Sequence, residues 1–160
     1  MVIIRSGAIA REVESSGHHR IAAAPDNGRA NEPWQWRLTV GDHSSAQVGL
    51  NGQSLTLSDP DTGRKRILEL ACAKSLVSGT MCSESFRSQS ELVRDEGELA
   101  VVYINTGQLT FDHHTLGAGD AAIVSGDEHF QVKTNPLSDE VDAALIRLCS
   151  TNDSGLVWVP

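Results

Sequence analysis

The sequence predicts an all-β chain with few or no helices, folded as a barrel or sandwich, and three observations carry that expectation. Short runs in which apolar and polar residues alternate recur along the chain, which is the period of a half-buried strand. Clusters of Gly, Asn, Asp, Ser and Pro separate these runs. One segment, 99–132, strings two apolar strands together through compact turns. With 39% apolar and 21% charged residues, the 160-residue chain is too apolar for disorder and long enough for one unit with a substantial core.

The opening, MVIIRSGAIARE, is interrupted too soon by Arg5 and Arg11 for a signal peptide, and no run approaches the roughly 20 apolar residues of a spanning helix, so a cytoplasmic location without membrane contact is expected. Residues 14–32, containing ESSGHHR and PDNGRANEP, read as a polar connection. Trp34 to Val40 alternates at every step and predicts a strand. Asn51-Gly52 then signals a turn and Ser54 to Leu57 alternates again, so the two runs are expected to pair as a hairpin. Asp59-Pro60-Asp61-Thr62-Gly63 is a turn cluster before another strand at Ile67 to Leu70.

The stretch 74–97 is rich in Ser and charge with no sustained period, and reads as a crossover loop or a few short strands. After it comes the apolar run from Leu99, a turn at Gly107, and a hairpin tip at Asp112-His113-His114. A Leu116-x-x-Gly119-Asp120 corner then feeds a second apolar strand ending near His129. Asp142 to Leu148, following a turn at Pro136, is the last strand candidate, although its Ala and Leu would also suit a helix.

Thirteen basic against 21 acidic residues leave a net charge of −8, which disfavours nucleic acid and anionic membrane surfaces as partners. Cys72, Cys82 and Cys149 form an odd set with no C-x-x-C spacing, against both a disulfide framework and a structural zinc site. His18-His19 and His113-His114 are adjacent pairs, and neighbouring side chains of a strand point to opposite faces, so neither pair suits one metal. Gly117-Ala118-Gly119-Asp120 lacks the Lys-Ser/Thr of a phosphate loop, and no Gly-x-Ser-x-Gly elbow is present. No catalytic residue, metal or cofactor is assigned on these grounds.

The spacing from Gly119 through Gly126 to His129 resembles the second motif of the cupins. Three further pieces, Gly7 to Val13, Trp36 to Val40 and Pro60 to Leu70, are similar in order and wording to the HutD/Ves family of bicupins. That resemblance implies a compact unit of two cupin-like halves, about 1–75 and 76–160, and a small-molecule-binding or regulatory role in histidine utilisation without an established catalytic activity. Cupins that bind a metal hold it with two His, a carboxylate and a further His. Here Ala100 stands where the carboxylate is expected and 74–98 contain no His, so a metal-free cupin is implied.

The expected function is binding of a small anionic metabolite, with a regulatory or buffering part in amino-acid utilisation. The residues expected to bind it are Glu12, Trp36, Arg37, Arg66 and His129. An Arg fork suits a carboxylate, and His129 would face a barrel mouth. Alternation leaves two options for Arg37: inside the barrel, or outside if Trp34, Trp36, Leu38 and Val40 point inward. Two other readings stand beside this one. One is a cupin enzyme using His129 with Asp127 or Glu128 as acid–base pair; the other is a module that forms a homodimer through an exposed sheet edge.

Overall fold

A computed structural model describes residues 1–7, 13–15, 17–24, 35–44, 52–126, 130–152 and 156. Among them there is no helix; the ordered elements are fourteen strands in three antiparallel sheets, a cupin-like sandwich. The first sheet is built from β2 (Val13–Ser15), β3 (His18–Ala24), β4 (Trp36–Gly41), β5 (Gly52–Ser58) and β6 (Lys65–Cys72), in the order β2-β3-β4-β6-β5. The central sheet runs β1-β12-β9-β14-β7, from β1 (Val2–Arg5), β7 (Val77–Phe86), β9 (Glu98–Thr106), β12 (Ala121–Val124) and β14 (Val141–Ser150). The third is β11-β10-β13-β8, from β8 (Ser90–Arg94), β10 (Leu109–Phe111), β11 (His114–Leu116) and β13 (Phe130–Pro136).

In the central sheet β9 and β12 are apolar on both faces because another sheet covers each. Along β9, Leu99, Val101 and Tyr103 join Trp36, Leu38, Val40, Leu68 and Leu70 in one core against the first sheet. Ala100, Val102 and Ile104 point the other way, into a second core with Phe111, Leu116 and Val132. A strand buried on two faces has no polar positions to alternate with, which explains why residues 99–104 read as one continuous apolar run.

Several elements differ from the sequence expectation. Residues 18–24, within the span read as a polar connection, form β3, where Ile21, Ala22 and Ala23 are buried. The Ser-rich stretch after residue 74 holds the ten-residue strand β7, whose exposed polar side chains obscure the fact that its backbone pairs along the whole of β14. Nor do β4 and β5 form a hairpin: β6 lies between them, paired with β5 across the Asp59–Gly63 turn and with β4 on its other side. The last candidate is a strand, β14, with no helical alternative realised. The hairpin tip at Asp112-His113 is present between β10 and β11, with Asp112 at a φ of 54°.

Candidate functional site

At one end of the inner core the first and central sheets part, leaving a cavity of about 250 Å³ lined by His19, Val40, Gly41, Asp42, Arg64, Arg66, Tyr103 and the backbone at Gly7, Gly17, Ala118 and Gly119. On β6, Arg66 lies on the same side as the buried Leu68 and Leu70, and opposite Leu57 on β5, so pleating aims its side chain between the sheets. Arg64, two residues earlier, joins it at the cavity and makes an exposed ion pair with Asp42 at 3.5 Å. Two guanidinium groups and an imidazole thus face one carboxylate across a space suited to a small ligand.

Close backbone packing forms two of the walls. A Cβ on Gly7 would lie 2.7 Å from the carbonyl carbon and oxygen of Gly119, which itself takes a φ of +90°. The Asp120 carboxylate ties this corner together, accepting from the Gly7 N–H at 2.6 Å and the Gly117 N–H at 2.8 Å. Opposite, the buried His18 ring fills the space over Gly41, and its Nε2–H donates to the His43 carbonyl at 2.5 Å. Since a carbonyl only accepts, Nε2 of that ring carries a hydrogen.

Behind Arg66 lies Asn105, 2% exposed. The β9–β14 register shifts there, so that Asn105 and Thr106 together oppose Asp142 in a β-bulge. The Asn105 carbonyl accepts a hydrogen bond from Arg66 Nη1 at 2.9 Å. Its side-chain amide donates to Asp142 Oδ2 at 2.8 Å and to the Ser58 carbonyl at 3.1 Å. Asp142 in turn lines a second cavity of about 710 Å³ whose walls carry hydroxyls and the carboxylates of Asp61, Asp139, Glu140 and Asp142. Glu140 there is held below the usual carboxylate range, first by the Ser85 hydroxyl at 2.7 Å and then by Arg87 at 2.9 Å.

The residues expected from sequence are dispersed. Arg66 lines the smaller cavity. Trp36 is 1% exposed in the inner core, next to Leu38 and Leu70. Arg37 stands on the other face of the same sheet, half-buried between Ala23 and Ala71, as the inward course of Trp36, Leu38 and Val40 requires. Glu12 and His129, and with them Asp127 and Glu128, lie outside the described residues. Among the described residues no three His, Cys, Asp or Glu side chains gather as a metal site. Sequence reasoning missed Arg64, His19, Tyr103 and Asn105. Arg64 was within reach, because Arg64-Lys65-Arg66 at the start of a strand sets both arginines on one side.

The three-layer arrangement has counterparts among solved structures. The chain matches the conserved protein of unknown function PA5104 from Pseudomonas aeruginosa PAO1 with a TM-score of 0.67 at 13% identity, over 94% of this chain and 99% of that one. It matches HutD from Pseudomonas fluorescens SBW25, solved in a formate condition, with a TM-score of 0.62 at 13% identity, over 95% of this chain and 100% of that one. The fold is that of HutD. At this identity the likeness to HutD is one of fold, extending over nearly the whole of both chains. No family model and no curated protein matches the sequence. Among the described residues no helix is long and apolar enough to cross a membrane.

Proposed function

We propose that this HutD-like protein binds a small anionic metabolite in the Arg64–Arg66 cavity, without a metal, and serves as a sensor or buffer in histidine or amino-acid utilisation. The supporting observation is Arg66. In a chain of net charge −8, an arginine is turned inward between two sheets, hydrogen-bonded through Nη1 to the Asn105 carbonyl and near enough to Asp59 for that carboxylate to feel its charge. The remaining N–H groups of the fork suit a carboxylate held in two places at once. His19 and Arg64 add donors at the rim.

Calorimetric titration of the purified protein with urocanate, histidine and N-formylglutamate tests this, in parallel with Arg66→Ala and Arg66→Lys. At least one acid binds the native protein, Arg66→Ala abolishes the heat, and Arg66→Lys recovers only part because an ammonium cannot present a planar fork. Silence from all three compounds removes the histidine-utilisation version, and binding indifferent to Arg66→Ala moves the site elsewhere.

A further inference from the structure

We infer that Asn105 and Asp142 are positioning residues for Arg66, setting its guanidinium from behind so that the cavity meets its anion with a donor already aimed; this rests on the anion-binding reading above. Arginine carries a long stem, and freezing it on binding costs affinity unless the folded protein has frozen it beforehand. Every element of such a restraint is in place. The bulge sets Asn105 beyond the regular β9–β14 register and turns its carbonyl to Arg66 Nη1. Both amide protons of its buried side chain are spent, one on the Ser58 carbonyl and one on the Asp142 carboxylate, so the bulge cannot swing. Ser58 and Arg66 belong to adjacent strands of the first sheet, whereas Asn105 and Asp142 belong to the central sheet. The chain Asp142–Asn105–Arg66 therefore also fixes the spacing of the two sheets at the point where they part.

The arrangement makes a prediction of sign. Asp142 is an anion, and by charge alone its removal would strengthen binding of another anion nearby. If it acts by holding Asn105, its removal weakens binding instead. Asp142→Asn separates the two effects, because it abolishes the charge and keeps a carbonyl oxygen able to accept from Asn105.

The experiment titrates the full chain with sodium formate and with urocanate. Asp142→Ala and Asn105→Ala each weaken binding about three- to tenfold, the worth of one aimed hydrogen bond, whereas Asp142→Asn binds as the native protein does or more tightly. Asp142→Ala binding as tightly as Asp142→Asn overturns the inference. A second readout needs no ligand. In the ¹⁵N spectrum of the free protein, the Arg66 guanidinium gives slowed, resolved signals that survive Asp142→Asn and collapse in Asp142→Ala; Asp142→Ser, which cannot reach Asn105, behaves as Asp142→Ala. Arg66 signals unchanged by Asp142→Ala and Asp142→Ser also overturn the inference. Signals that respond as stated while neither acid binds leave the positioning intact and count against the anion-binding reading alone.

Discussion

Replacing Gly7 with Ala tests the backbone contact that closes the smaller cavity. The added Cβ would sit 2.7 Å from the carbonyl carbon and oxygen of Gly119 and 3.0 Å from its Cα, all main-chain atoms. Neither side yields cheaply. Gly119 is tied to β9 by its N–H to the Ile104 carbonyl at 2.8 Å, and Gly7 is tied to Asp120 by the 2.6 Å hydrogen bond. Overpacking of this kind costs about 1–3 kcal/mol, and surrendering a hydrogen bond to a charged acceptor costs about 1.5–3 kcal/mol. The chain takes whichever is smaller, so a loss of about 1–3 kcal/mol is expected. For a domain of this size that lowers Tm by about 2–12 °C. Urea unfolding should show the same loss as a lower midpoint at constant slope.

Two further glycines calibrate the result. Gly79→Ala meets the tips of Leu148 and Leu70 at 2.7 and 2.9 Å, side-chain ends that can rotate away, and should cost less than Gly7→Ala. Gly63→Ala has nothing within 4 Å and bears only the left-handed backbone at φ +68°, about 1 kcal/mol. A Gly7→Ala protein as stable as Gly63→Ala would refute the argument that main-chain contact decides the cost.

Trp36→Ala empties the inner core at its largest fully buried side chain and should cost about 3–5 kcal/mol, read by denaturant unfolding, against under about 0.5 kcal/mol for a surface change such as Lys133→Ala. Burial pushes the Cys72 thiol up to about 11, so at pH 8 about one molecule in a thousand carries its thiolate; the exposed Cys82 should be alkylated first by iodoacetamide, as mass spectrometry will show, and equal rates would contradict the burial. Asp59 is held below the usual carboxylate range, first by the Thr62 hydroxyl and then by the Asp61 N–H, and Glu140 by Ser85 and Arg87. A lowered native value means stability that is present above the ordinary carboxylate range and lost as pH falls from there through the lowered value; urea midpoints should therefore drop between neutral and acid pH, and drop less in Asp59→Asn and Glu140→Gln.

Much of the architecture was legible because it is written locally. The alternation of Trp36, Leu38 and Val40, the unbroken apolar course of 99–104 and the Gly107 and Gly119 corners each name a strand or turn without outside help. What escaped is information held between distant segments. Asn51-Gly52 signals that the chain turns, yet not that β6 will come between β4 and β5. A buried Ile-Ala-Ala run in β3 and a Ser-rich surface on β7 become strands through the partners they pair with, beyond what their own composition favours. The site divides likewise. Arg66 shows itself as a charge on a core-facing strand, while His19 and Tyr103 reach the same space from β3 and β9, Asn105 backs Arg66 from β9, and no spacing in the sequence links them.

The partner of the opening strand sets a timetable for the newborn protein. Val2 to Arg5 lie against Val124 to Ala121, and the amino group of Met1 bonds the Ser125 carbonyl at 2.7 Å, 124 positions away. Arg5 and its partner Ala121 lie 116 positions apart, so a ribosome must add everything between them before this strand finds its neighbour. Until then that segment, apolar and edge-seeking, waits without its partner strand.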